Sequence, residues 1–327
     1  SGPWTIKSFD ATTGVVYVPN PKFWGNTLNL DGLEYTFFAD EAASILALQS
    51  GDLEALVQFN FSGGESLLDN PDYTIFEIPS ANHTQVHMRC SEGPFKDKRL
   101  RQAMAHALDR QAVIDSMFGG KAAIAADTPL FAMYPSAGTV PEVAFDVEKA
   151  KQLVADAGGG FDVPLYGINF REGPDYAVLL QNAAKAIGIN LDIKLQGDYY
   201  DVNWVRTYDP SVAGSDIGIT DYGHRGVPDV YLNAALKSFK SVDDGAGVWN
   251  AAEFSNAEYD SLVDTYSSSP DLQSQKDAAQ KITGILQDEV PMLIGYNINY
   301  LSVTKSNVTG VVPTAMGHMF TENAAIG

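Results

Sequence analysis

The chain has 327 residues, 45% of them hydrophobic, and a formal charge of −20, with Cys90 its single cysteine. That length leaves room for two domains, and the acidity argues against nucleic acid, whose phosphates need a basic face. One cysteine rules out an intrachain disulfide and gives no metal-ligand spacing, and no apolar run reaches the ~18 residues of a membrane span.

In chain order, the opening "SGPWTIKSFD" has neither the basic segment nor the apolar core of a signal peptide and reads as the interior of something longer. "WTIKSF" and "GVVYVP", split by a Thr-Thr-Gly turn, predict a hairpin, and "LEYTFF" resumes the alternation after a Pro-rich break. Asp40 caps a helix, "DEAASILALQSG", with Ala43, Leu46 and Ala47 on one face and Gly51 as its stop. "LEALV", "YTIFEI" and "TQVHMRC" are separate short strand candidates.

From 97 the pattern turns helical. "DKRLRQAMAHALD" puts Leu100, Ala103, Met104, Ala107 and Leu108 on one stripe, and "DRQAVIDSMFGG" follows with its own Asp cap. A Pro- and Ala-rich loop (122–144) leads to the capped helix "DVEKAKQLVADAGGG". Strands "VPLYGINF", "NLDIKLQ" and "DIGIT" then alternate with helices "YAVLLQNAAKAIG", "DVNWVRTY" and "PDVYLNAALKS", which predicts βαβ units and a mainly parallel sheet. Helices over 256–267 and 270–289 precede the closing strands "PMLIGYN", "NYLSVT" and "VTGVVP". β-rich ends around an α/β middle predict an inserted domain: 1–90 in a first lobe, 91–295 as a second, and 296–327 returning to the first. Two crossings make a hinge, and a cleft between lobes is the usual place for a small-molecule site.

Most catalytic signatures are absent. There is no G-x-S-x-G elbow, no Walker A loop, and no G-x-G-x-x-G opening a helix; the glycines at 158–160 follow a helix and act as its cap. His83 and His87 lie four apart in a strand with no third ligand, so they read as partly exposed strand histidines and not as a metal site. His106 reads as a satisfied histidine at the edge of the core. No cofactor is called for.

The informative stretch is "DIGITDYGHRGVPDVYL", residues 216–232. In a parallel sheet, ligand groups lie beyond the carboxyl ends of strands, and "DIGIT" would present Asp221, Tyr222, His224 and Arg225 there, between Gly223 and Gly226. Those glycines would allow close approach of a ligand or a positive φ. "VPLYGINF" ends in the same way, with Arg171 placed to clamp a carboxylate or to pair with Glu172 or Asp175. Trp249 completes the candidate contacts. A His-Arg pair favours an anionic ligand, with the His224 imidazolium facing it.

Six stretches in order resemble the extracytoplasmic solute-binding proteins of bacterial dipeptide, oligopeptide and nickel ABC importers (family 5). They are "SGPWTIKSFDATTGVVYVPNPKFWG", "LDGLEYTFFADEAASILALQSGDLEAL", "PFKDKRLRQAMAHALDRQAVID", "DVEKAKQLVADAG", "AEYDSLVDTY" and "KDAAQKITGILQDEVPMLIGY". The resemblance implies an α/β, two-lobed periplasmic-binding-protein-like fold of the large peptide-binding class. It also implies delivery to a membrane permease, no catalysis, and a periplasmic or otherwise extracytoplasmic location with or without a lipid anchor. Family members begin with a substantial further segment of the first lobe, so that lobe is expected to be incomplete here and to expose strand edges. In the peptide branch an aspartate after the strand matching "DIGIT" holds the ligand's α-amine; counted back from Pro228, that place falls at His224. Asp221 is close by, Tyr222 is nearest to the branch's aromatic, and Arg171 lies within a residue of its carboxylate-binding arginine. The expected ligand is a short peptide or peptide-like carboxylate. Nickel-chelate or opine-type solutes are alternatives, and an α/β hydrolase or transferase is the alternative from another class.

Overall fold

The computed structural model describes residues 2–202, 204 and 214–327. The chain forms two compact units, Ser1–Pro79 with Asn299–Gly327, and Ser80–Ile298. The divisions at 79/80 and 298/299 differ from the 90/91 and 295/296 of the sequence reading, because both fall inside strands and not at linkers.

In the first unit, β1 (Trp4–Asp10) and β2 (Gly14–Pro19) pair antiparallel with an irregularity between Ile6 and Ser8, and β3 (Leu33–Thr36) pairs with β2. The turn forms because the Asp10 carboxylate accepts from the backbone N–H groups of Thr12 and Thr13, both at 2.9 Å. Gly14 is required there: its φ is 144°, and a Cβ would stand 2.0 Å from the Tyr35 carbonyl oxygen. β1 and β3 are the outer strands of this sheet, and Ile6 and Phe9 on β1 are exposed. Helix α1 (Glu41–Ser50) has the predicted Asp40 cap, accepting from Ala43 N at 2.8 Å, and the Gly51 stop. Its buried face is Ile45 and Leu48, however, and Leu46 is exposed. Those two side chains pack on Leu56 and Phe59 of β4 (Ala55–Phe59), with Leu301 and Val303 behind them. The four-residue α2 (Phe61–Gly64) follows.

The strands expected at 73–78 and 84–90 are one, β5 (Tyr73–Met88), half-exposed in alternation to Pro79 and buried from Ser80 onward. The second unit begins on that buried half. Helices α3 (Lys98–Ala107), α4 (Arg110–Phe118), α5 (Val147–Asp156) and α6 (Gly173–Ala186), with the short β6 (Ala122–Ile124), lead through β7 (Asp162–Ile168) and β8 (Asn190–Gln196). The stripe predicted for α3 is buried at every position. α7 (Tyr199–Val202) starts two residues before the helix expected over 201–208, of which 203 and 205–208 lie outside the described residues. β9 (Ile217–Tyr222), α8 (Asp229–Ala234), α9 (Ala257–Ser268), α10 (Leu272–Glu289) and β10 (Met292–Ile294) lead into β11 (Tyr296–Lys305). The two-stranded pairs β12 (Val308–Thr309) with β15 (Ala325–Ile326) and β13 (Val312–Pro313) with β14 (Met319–Phe320) close the first unit.

The sheet of the second unit runs β5-β9-β7-β8. Only β9, β7 and β8 are parallel; β5 is antiparallel to β9, so the expected parallel sheet holds for three strands. One face packs Val163, Leu165, Ile217 and Ile219 against α3 to α6, and the other packs Tyr222 with residues of α8 to α10. The arginines of "PFKDKRLRQAMAHALDR" hold this frame. Arg101 donates to the carbonyls of Phe95 (2.8 Å) and Glu289 (2.7 Å), while Arg110 donates to that of Ala105 (3.1 Å) and to the buried Asp127 carboxylate. The other Asp127 oxygen accepts from Ile294 N at 3.0 Å.

Candidate functional site

The register Gly167↔Ile219 aligns β7 with β9, so both carboxyl ends leave the same edge of the sheet. Arg171 follows β7, in a left-handed conformation (φ 49°), exposed, with its guanidinium 5.0 Å from the Phe170 ring centroid. Asp221 and Tyr222 still belong to β9, paired with Thr84 and His83 of β5, and so are not on the turn as expected.

Their surroundings separate the two. Asp221 is half-buried and accepts from the Tyr200 hydroxyl, which also lies 2.9 Å from Thr220 Oγ1. Burial and the Asp221 charge both push the Tyr200 phenol above its ordinary value. Tyr222 is a core residue: its ring stacks on His83 at 5.3 Å with 3° between planes, and burial raises its phenol far above the usual range. Its hydroxyl has no hydrogen-bond partner among the described residues.

Beyond the strand, every backbone acceptor of 223–225 is engaged. The Gly223 carbonyl accepts from the Tyr231 hydroxyl at 2.7 Å and from Arg225 Nη1 at 3.2 Å. The His224 carbonyl accepts from Arg225 Nη1 at 3.0 Å, and the Arg225 carbonyl from the Tyr134 hydroxyl at 2.7 Å. The backbone N–H of His224 donates to Asn82 Oδ1 at 2.6 Å, and its Nδ1 accepts from Ala81 N at 2.9 Å. An Nδ1 that accepts cannot carry a proton, so the imidazolium expected at His224 is replaced by a neutral ring. Burial, and then the Arg225 charge, lower its pKa below the ordinary histidine value, in the same sense. Neither Gly223 nor Gly226 has a positive φ; a Cβ on Gly223 would meet Arg225 Nη1 at 3.3 Å, and one on Gly226 open space.

Trp249 is half-buried against the cluster built on α8 to α10, and its backbone N–H donates to Ala234 O at 2.8 Å. His83 and His87 are buried, not partly exposed. Burial holds them neutral, lowering His83 to about 4 and His87 to about 3. Among the described residues no three His, Cys, Asp or Glu side chains form a group fit for a metal. His106 contacts the Ala144 carbonyl oxygen at 2.8 Å, as a satisfied histidine does. Sequence reasoning missed Ala81, Asn82, Tyr134, Tyr200 and Tyr231. No local signal marks the first three, which reach the turn only through tertiary pairing.

The fold is that of the periplasmic binding proteins of ABC transporters. DppA from Helicobacter pylori, solved in complex with the peptide STSA, matches 98% of this chain with 63% of its own, at 18% identity and a TM-score of 0.79. NikA from Brucella suis, in complex with Fe(III)-EDTA, matches all of this chain with 68% of its own, at 17% identity and a TM-score of 0.83. The chain belongs to the bacterial extracellular solute-binding proteins, family 5, whose middle-region model matches residues 1–237. Similar proteins of known role include the dipeptide-binding protein of Escherichia coli, 21% identical over the whole of this chain, and heme-binding protein A of Haemophilus influenzae, 22% identical over 97% of it. The chain spans 61% and 58% of their lengths. No helix among the described residues is long and apolar enough to cross a membrane.

Proposed function

We propose that the chain is the ligand-recognising part of an ABC importer's substrate-binding component, taking a short peptide or peptide-like, carboxylate-bearing solute and passing it to a membrane permease without chemical turnover. The observation that carries this reading is the turn after β9. Hydrogen bonds to Tyr134, Tyr231, Asn82 and Ala81, all within the protein, fix it at the sheet edge where Arg171 also emerges. Such preorganisation lowers the ordering cost of binding. Arg171, Asp221, His224 and Arg225 are the proposed contacts, with Tyr222 and Trp249 supporting them from the core. The working location is outside the cytoplasm, periplasmic or tethered by a lipid anchor. Mass spectrometry of solutes released by denaturing the purified protein tests the reading. A peptide or peptide-like acid recovered in stoichiometric amount supports it; turnover of an ester, peptide or phosphoryl substrate would sink it.

A further inference from the structure

We infer that His224, held as the neutral Nε2–H tautomer, selects the ligand by donating a hydrogen bond to a carbonyl or carboxylate oxygen, and that the turn offers no anchor for a free ammonium. This rests on the solute-binding reading above and names the group that the turn receives.

The tautomer follows from the backbone. Ala81 N–H points its proton at Nδ1 from 2.9 Å, which leaves the ring's own proton on Nε2. Ring and main chain are fixed together, because Asn82, one residue further along β5, holds the His224 N–H at 2.6 Å. Two adjacent positions of one strand thus set the orientation of the imidazole. Nε2 itself has no protein partner among the described residues, and it is not among their buried unsatisfied atoms.

The rest of the turn has the same polarity. The carbonyls of Gly223, His224 and Arg225 each accept from Tyr231, Arg225 or Tyr134. Arg225 directs only Nη1 at these carbonyls, which leaves its other guanidinium N–H groups as donors. A ligand reaching the turn therefore meets donors: one neutral imidazole N–H beside a permanent cation. A carboxylate or amide carbonyl satisfies both, whereas an ammonium meets the Arg225 charge and carbonyls that each already accept at least one hydrogen bond. Asp221, the nearest carboxylate in sequence, sits within the strand and accepts from the Tyr200 hydroxyl.

Imidazole nitrogen resonances of the 15N-labelled 327-residue protein at neutral pH, with His224 assigned by its loss in His224→Asn, give the tautomer directly. The expected pattern is a protonated Nε2 and an unprotonated Nδ1; a protonated Nδ1 would overturn the assignment. The same sample is then titrated with two probes, N-acetyl-dialanine (a carboxylate, no ammonium) and propylamine (an ammonium with neither carbonyl nor carboxylate). The expected result is a shift of the His224 Nε2 signal by the first probe alone, with affinity about tenfold weaker in His224→Ala and partly kept in His224→Gln, whose amide N–H reaches toward the same place. Melting curves of both variants separate loss of binding from loss of fold. A response to propylamine that Asp221→Asn removes would place an ammonium site here and refute the selection. So would a response to neither probe, while the solutes recovered by mass spectrometry would still decide the solute-binding reading by themselves.

Discussion

Lowering the pH should destabilise the second unit through two buried histidines before its carboxylates are protonated. His83 packs against the rings of Phe131, Tyr222 and Tyr231, and His87 against Trp204. His83 Nε2 and His87 Nδ1 have no hydrogen-bond partner among the described residues, so a proton added there would be both buried and unpaired. Burial is the main cause of their depressed values, about 4 for His83 and about 3 for His87. Both groups bind protons more weakly folded than unfolded. Their stabilisation is therefore complete above the ordinary histidine value of about 6.5 and is lost as pH falls toward the folded values. Between pH 7.5 and 5 each should remove about 2 kcal/mol, with a limiting slope of about 1.4 kcal/mol per pH unit. Urea denaturation at pH 7.5, 6 and 5 measures this, in a window where ordinary carboxylates stay ionised. His83→Phe keeps an aromatic ring in place and should remove one of the two contributions to the slope. Stability that is flat from pH 7.5 to 5, or a variant that falls as steeply as the parent, would refute the reasoning.

Arg110→Met should cost about 3–5 kcal/mol, because it strands the buried Asp127 carboxylate; Arg110→Met with Asp127→Leu should recover much of that in the same denaturation assay. Asp40→Ala removes the cap of α1 and should lower stability by about 1 kcal/mol, with faster amide exchange confined to the first unit. Tyr231→Phe removes the shorter of the two hydrogen bonds to the Gly223 carbonyl and should cost about 1 kcal/mol of stability, together with a several-fold loss of affinity for the co-purified solute measured by calorimetry. The open edge strand β1, with Ile6 and Phe9 exposed, should pair with a second copy at high concentration; light scattering that stays at one chain mass would count against it.

Local chemistry in the sequence was a good guide wherever a structure is decided locally. The caps at Asp40, Asp97, Asp109 and Asp146 all accept from backbone N–H groups of the turn that follows, and the helices begin where those residues stand. It was a poor guide where partners come from elsewhere. Nothing in "YTIFEIPSANHTQVHM" shows that one strand continues through Pro79, because a proline lacks the ladder donor and ordinarily argues against a strand interior. The same tertiary pairing misplaced two site residues. "DIGIT" looks like the end of a strand, but β5 continues alongside and extends β9 through Asp221 and Tyr222, which sends the Tyr222 ring into the core. His224 looked cationic because Arg225 and an expected anion were its only visible neighbours. The Ala81 N–H that fixes its tautomer is 143 residues away.

These contacts also explain why the most specific family signature says nothing about the ligand. In "PFKDKRLRQAMAHALDR", the Arg99 guanidinium reaches Asp97 and the Asp156 carbonyl, Arg101 reaches Phe95 and Glu289, and Arg110 reaches Ala105 and Asp127. All three cations hold helix ends and backbone carbonyls inside the unit, so in this chain the motif specifies a frame. On the reading proposed above, the chemistry of the cargo rests on other residues: a short turn and two positions of an antiparallel strand that orient an imidazole N–H beside the Arg225 guanidinium. On that reading, substitutions at 82, 224 and 225 should change the cargo while leaving that frame in place. Substitutions at 101 or 110 would remove the frame that holds the turn, whatever the ligand.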